Sequence, residues 1–218
     1  MLVTRAGPPP EGDAPHPLLV LLHGLGTNEG DLAPMADGLD HRLQLVFVRA
    51  PESAPAIQEG YQWFARGEPS ESALAAALAP LRDTLAALVA SVASEGVAPP
   101  LFLGGFSQGA TVAVSYACRE PDPPLAGLIL LSGYLPTVVT VPPLRGLPIF
   151  LGHGQDDPVI EYARGRAMAD RLATAGARLM RRMYQQGHTV SPQELADVDM
   201  FLKGRLKQAR RVVPPVTP

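Results

Sequence analysis

Between Pro100 and Gly109 an apolar run, Leu101-Phe102-Leu103, passes directly into Gly-Gly-Phe-Ser-Gln-Gly, and Ala110 to Ala117 then reads as a helix. A strand that turns straight into a helix leaves little room at the turn. A serine fits at the apex only where the residues two before and two after it lack side chains. Gly105 and Gly109 meet that requirement around Ser107. The helix that starts there turns its unpaired N–H groups toward the serine hydroxyl. Ser107 is therefore a candidate nucleophile, and the Gln108 N–H a candidate donor to an oxyanion formed beside it.

The rest of the chain repeats the alternation of strand and helix. Leu18-Leu19-Val20-Leu21-Leu22, closed by His23-Gly24, has the unbroken apolar character of a buried parallel strand. Leu43 to Val48, Leu125 to Leu131, Pro148 to Leu151 and Ala177 to Tyr184 predict further strands. Asp31 to Leu39, Ala73 to Val92, Glu161 to Ala175 and Pro192 to Gln208 predict helices. Pro80 predicts a kink or a restart within the second of these. Residues 51–70 gather Tyr61, Trp63 and Phe64 among prolines and glycines, the mark of an irregular, functional or self-packed loop. This order predicts an α/β fold, a mostly parallel central sheet with helices on both faces and its site at the carboxyl ends of the strands. A single domain is expected over residues 18–209, with a Pro-rich N-terminal extension, 1–17, and a C-terminal tail, 210–218.

Composition narrows the function classes. A net charge of −3 and a pI near 5.9 argue against nucleic acid or an anionic membrane as the main partner. The basic cluster Lys203, Arg205, Lys207, Arg210 and Arg211 suits a solvated helix C-terminus. One cysteine, Cys118, excludes an internal disulfide, and no Cys/His spacing resembles a zinc site, so neither metal nor cofactor is expected. Met1 to Asp13 lacks the apolar core of a secretory signal, and the longest aliphatic run falls far short of the roughly 20 residues that span a bilayer. The expectation is a cytoplasmic protein without stable membrane insertion, monomeric or homodimeric.

A serine hydroxyl needs a general base, and the base needs an acid that fixes its tautomer and supports its positive charge. After such an elbow the acid and then the base follow along the chain. Of the five histidines only His153 and His188 follow Ser107, and only His188 has a carboxylate between itself and the Pro148 strand. The acid belongs in the turn after that strand, where Asp156 and Asp157 both stand. The second oxyanion donor is expected in the loop after an early strand; His23-Gly24-Leu25-Gly26 is that loop, and the Leu25 N–H the candidate. His23 precedes Ser107 and reads as a buried, hydrogen-bonded support.

Six segments now stand in one order: Leu22-His23-Gly24-Leu25-Gly26, Tyr61-Gln62-Trp63-Phe64, Gly105-Phe106-Ser107-Gln108-Gly109, Leu131-Ser132-Gly133-Tyr134-Leu135-Pro136, Gly152-His153-Gly154 with Asp157-Pro158-Val159, and Gly187-His188 followed by Val190 and Glu194. In them the chain resembles the carboxylesterase, phospholipase and acyl-protein thioesterase family of α/β-hydrolases, over about residues 18–205. The resemblance implies a serine esterase with Ser107, Asp157 and His188 as nucleophile, acid and base, choosing Asp157 over Asp156, and with Leu25 and Gln108 as oxyanion donors. Ala110 stands where many relatives carry a third glycine, and Gly133-Tyr134 resembles the bacterial esterases, which weighs against protein depalmitoylation. Only residues 133–147 lie between the strand after the nucleophile helix and the next, too few for a large cap. The substrate, a small ester, would then meet walls from Trp63, Phe64, Tyr134, Leu135, Val138, Val139 and Val141, which favours short to medium acyl chains.

Overall fold

Five apolar residues in a row cannot alternate between core and solvent, so Leu18–Leu22 must be covered on both sides. The computed structural model describes residues 1–12, 15–55, 57–93, 97–120 and 125–212, with side chains through Lys207. Its strands are β1 (Thr4–Ala6), β2 (Leu18–Leu22), β3 (Gln44–Val48), β4 (Glu52–Ser53), β5 (Tyr61–Gln62), β6 (Leu101–Phe106), β7 (Leu125–Leu131), β8 (Pro148–Gly154) and β9 (Arg178–Tyr184). Its α-helices are α1 (Glu71–Val92), α2 (Gln108–Arg119), α3 (Tyr162–Thr174) and α4 (Pro192–Val212). The main sheet runs β1-β3-β2-β6-β7-β8-β9, parallel at every pairing except β1 with β3. β4 and β5 form a separate antiparallel pair.

The period of two along each strand divides the core. Leu18, Val20, Leu22, Leu103, Leu128, Leu130 and Leu151 face α1, α2 and α3 in one cluster. Leu19, Leu21, Phe47, Phe102, Ile129, Leu131 and Phe150 face α4 in the other. The expected α/β-hydrolase architecture, a mostly parallel sheet layered on both faces, is thus present.

Four expectations are corrected. Residues 1–17 are not wholly an extension: Thr4–Ala6 joins the sheet through Thr4↔Val48, Arg5↔Phe47 and Ala6↔Val46. A three-residue edge strand exposed on both sides carries no apolar pattern to betray it. The helix expected over Asp31 to Leu39 is a 3₁₀ segment, Ala33–Gly38, because Pro34 and Gly38 leave too few good helix formers to nucleate a longer one. The tail expected from residue 210 begins later, since α4 runs to Val212, and residues 213–218 lie outside the described residues. Finally, α1 is long and apolar enough by length and composition to cross a membrane, which a search for aliphatic runs overlooks because alanines carry its hydropathy. In the fold it is a core helix, capped by Ser70 and burying Leu74, Ala77, Leu78, Leu81 and Leu85. It continues through Pro80 rather than restarting there.

The β6–α2 junction positions the site. A Cβ on Gly105 would lie 2.5 Å from the Gly109 carbonyl carbon, and one on Gly109 would overlap the Leu22 carbonyl at the end of β2. Both obstacles are main chain and cannot swing away. Gly109→Ala should therefore cost about 3 kcal/mol or more, lowering Tm by roughly 6–12 °C in a chain of this size. A thermal scan with an unchanged midpoint would show that this junction is looser than described.

Candidate active site

Ser107 occupies φ 56°, ψ −117°, a left-handed conformation that costs a non-glycine residue on the order of 1–3 kcal/mol. Its N–H donates to the Leu131 carbonyl (2.8 Å) and its carbonyl accepts from Thr111 N–H (3.1 Å), so the sheet and α2 hold the apex from both sides. The Oγ–H donates to His188 Nε2 at 2.9 Å, and His188 Nδ1–H donates to Asp157 Oδ2 at 2.7 Å. These three residues, far apart in sequence, form one hydrogen-bonded line at the carboxyl ends of β6, β8 and β9.

Asp157 and Asp156 differ by environment. Asp156 is exposed, whereas the Asp157 side chain is fully buried and its Oδ1 accepts from the Val159 (2.8 Å) and Ile160 (2.9 Å) N–H groups. Burial acts to raise the Asp157 carboxyl, but the bonds from His188, Ile160 and Val159 outweigh it, and the group is held below its ordinary range. The acid therefore stays ionised beneath the imidazole. The Phe106 ring lies 4.7 Å from the His188 ring, closing its other side.

Two further histidines are buried and structural. Ala50 N–H donates to His23 Nε2 (3.0 Å), which fixes the proton on Nδ1, where it is donated to the Gly24 carbonyl (2.7 Å). His153 Nε2–H donates to the Ile160 carbonyl (2.9 Å) and supports the Asp157 turn from below. Burial lowers the pKa of both, so both are neutral supports.

The loop after β2 abuts the serine: a Cβ on Gly24 would stand 3.4 Å from Ser107 Cβ. Leu25 follows immediately and is half-buried. Gln108, first residue of α2, carries an N–H without an intrahelical acceptor. Its side chain holds the aromatic loop, with Trp63 N–H donating to Oε1 (2.8 Å) and Nε2 donating to the Phe64 carbonyl (2.7 Å). The Trp63 indole N–H donates to the His23 carbonyl (3.0 Å).

The expected substrate walls are placed differently. Trp63, Phe64, Leu135 and Val139 are buried members of the core cluster, and Tyr134 is buried with its O–H donating to the Gly67 carbonyl (2.8 Å) under the Arg164 guanidinium (3.5 Å). Val141 packs partly against the same core, and Val138 alone of the set is exposed. These side chains buttress the site instead of standing open to solvent. Sequence reasoning missed the Phe106 contact, the Gln108 clamp and the part taken by Gln186. It also missed Ile57, an exposed side chain seated over Gly26. Among the described residues no group of three His, Cys, Asp or Glu is disposed to hold a metal ion.

A parallel sheet whose nucleophile-like serine tops a strained strand–helix turn, with a histidine and an aspartate arriving from later strands, defines an α/β-hydrolase. The family model for phospholipases and carboxylesterases matches residues 10–206, and the chain belongs to that family. It is 26% identical to an acyl-protein thioesterase 1 of Candida albicans, over 93% of this chain and 98% of the relative. It is 30% identical to the Arabidopsis thaliana carboxylesterase SOBER1 over 56% of each chain. A Bacillus cereus carboxylesterase shares the fold with a TM-score of 0.78 over 93% of both chains, at 23% identity.

One buried group of this region governs stability against pH. Glu194, on the first turn of α4, is fully buried, and that burial pushes its carboxyl up to about 7 from 4.5, partly countered by the bond from Gln186. Between these two values the folded chain binds more protons than the unfolded one, so this group lowers stability as pH rises. The full loss is about 3 kcal/mol, reached above pH 7. Glu194→Gln should remove that slope, so the difference in unfolding free energy between variant and wild type grows from pH 4.5 to pH 7 and then levels. Denaturant titrations giving a pH-independent difference would contradict the burial argument.

Proposed function

We propose that this protein is a serine hydrolase of carboxylic esters, with Ser107 as nucleophile, His188 as general base and Asp157 as the acid that orients it. The unbroken line of hydrogen bonds from Ser107 Oγ through His188 to buried Asp157 carries this reading. Ser107 Oγ attacks the ester carbonyl carbon as its proton passes to His188 Nε2. The carbonyl oxygen becomes an oxyanion that accepts hydrogen bonds from the Leu25 and Gln108 N–H groups. The intermediate collapses, Nε2 returns the proton to the departing alkoxide, and an acyl group remains on Ser107. Water, deprotonated by His188, then attacks the acyl-enzyme, and on collapse Nε2 returns the proton to Ser107 Oγ as the carboxylic acid leaves. Asp157, kept ionised by its own hydrogen bonds, stabilises the imidazolium in both halves.

We assign short to medium acyl chains, because residues 133–147 spend Leu135, Val139 and Leu144 on the core and leave little to enclose a long chain. The thioesterase name of the Candida albicans relative favours thioesters as the second substrate class. The reaction as written uses no metal or cofactor. A cytoplasmic setting is in keeping with the single cysteine, Cys118, which forms no internal disulfide.

Ser107→Ala should abolish turnover and fluorophosphonate labelling with Tm nearly unchanged, and full labelling of the variant would remove Ser107 from its role. Asp157→Asn should lower kcat by about 10³-fold or more, since the amide cannot support the imidazolium. Asp156→Asn should change kcat less than about threefold, exposed side chains being nearly neutral; losses of the reverse size would exchange the two aspartates. Across p-nitrophenyl esters kcat/KM should peak below palmitate and be unaffected by chelators. A value that climbs to palmitate, or is larger for an S-palmitoyl peptide, would establish the thioesterase reading instead.

A further inference from the structure

The imidazole of His188 sits on a short turn, Gln186–Thr189, between β9 and α4. On one side the end of β8 holds that turn, with Asp156 N–H donating to the Gln186 carbonyl (3.2 Å) and Gly154 packed so closely that a Cβ would overlap the Gln186 and Gly187 carbonyls. On the other side the Gln186 side chain crosses the turn. Its Nε2 donates to the Thr189 carbonyl at 2.7 Å and to Glu194 Oε2 at 2.7 Å, so one amide ties the position two before His188 to the residue after it. Glu194 is fully buried, and its N–H donates to Ser191 Oγ (3.3 Å) in the first turn of α4. Its other oxygen, Oε1, has no hydrogen-bond partner and lies where a Cβ on Gly152 would be. A buried carboxyl group that gathers the Gln186 amide and the Ser191 main chain, and still leaves one oxygen orphaned, is a costly choice for packing alone. An apolar side chain could fill that space beside Gly152 but could not hold the Gln186 amide.

We infer that Glu194 is the positioning residue for His188: by anchoring the Gln186 amide across the turn, it fixes the imidazole between Ser107 and Asp157. The inference rests on the hydrolase reading above. Glu194 touches neither substrate nor the reacting atoms, and it acts through Gln186. With the bridge cut, the turn remains attached to β8 but can tilt, lengthening the bond from Ser107 Oγ to Nε2 while substrate still binds. The signature is a fall in kcat at constant KM.

The test is steady-state hydrolysis of p-nitrophenyl butyrate by the full chain, with the folded fraction of each variant measured by near-UV circular dichroism. Gln186→Leu, which removes the bridge without touching Glu194, should lower kcat tenfold or more with KM within about twofold. Glu194→Ala should do the same. Glu194→Gln, whose amide oxygen can still accept from Gln186, should recover at least half of the wild-type kcat. Should Glu194→Ala fail to fold, Gln186→Leu decides alone. Wild-type kcat in Gln186→Leu, or a Glu194→Gln enzyme as slow as folded Glu194→Ala, overturns the positioning role. Turnover that survives Ser107→Ala refutes the hydrolase reading itself; turnover lost there but intact in Gln186→Leu refutes only the part assigned to Glu194.

Discussion

Everything at the carboxyl end of this sheet depends on how closely the first turn of α2 approaches the end of β2. Gly109 lies against the Leu22 and His23 carbonyls, and Gly105 lies against Gly109, with no space for a methyl group at either position. That contact forces Ser107 into its left-handed conformation and brings the Gly24-Leu25 loop beside it. One close approach therefore sets two things that an acyl-transfer site must keep in register, the attacking oxygen and the donors that receive the developing charge. Ala110, the next residue of α2, tests the tolerance of this packing. Its methyl group is accommodated because position 133 is a glycine, whose Cβ would lie 2.6 Å from that of Ala110. Ala110 and Gly133 therefore form a steric pair in this chain.

Around that fixed centre, burial sorts the titratable groups into kinds. His23 and His153 are enclosed, each donates one ring proton to a carbonyl, and each is kept neutral by desolvation. His188 differs by its partners, since both ring nitrogens meet side chains that can exchange or support a proton. Asp157 is also enclosed, though less deeply, and three hydrogen bonds keep it below its ordinary range, whereas deeper burial of Glu194 outweighs the bonds it accepts. Burial thus leaves one carboxyl held below its ordinary range and pushes the other up to about 7. The balance between depth of burial and donors decides which.

The sequence carries the fold where burial is two-sided and loses it where burial is absent. Leu18–Leu22, Leu101–Phe106 and Leu125–Leu131 are legible because a strand covered on both faces has an almost wholly apolar composition. β1 is not legible, because an exposed edge strand is chosen by the sheet it joins and carries no pattern of its own. In the candidate site, glycine spacing and chain order point to Ser107 and His188 because those constraints are steric and topological. The choice of Asp157 is settled locally only by environment, the neighbouring Asp156 being exposed. Side-chain to main-chain ties such as those of Gln108 and Gln186 leave no periodic trace. A glutamine in sequence does not announce which carbonyl it will find.

The apolar walls show most clearly where residue type misleads. Aromatic and aliphatic residues near a site invite assignment to substrate, yet Trp63 and Phe64 are held inward by the Gln108 side chain, while Glu68 draws the end of that loop to Thr137 N–H (2.6 Å) and Arg164 (2.5 Å). Gln108 thereby joins two tasks: its main chain offers the proposed oxyanion donor, and its side chain locks the loop that would otherwise move over it. A change in the aromatic loop must then be felt at the donor through one residue, without any contact with substrate. Exposed apolar side chains on the neighbouring loops are ones the core does not need, Ile57 over the Gly26 loop and Val159 on the Asp157 turn. Neither contributes to the sheet or its helices. Those loop tips can therefore change while the buttress beneath, and with it the geometry of Ser107, stays fixed.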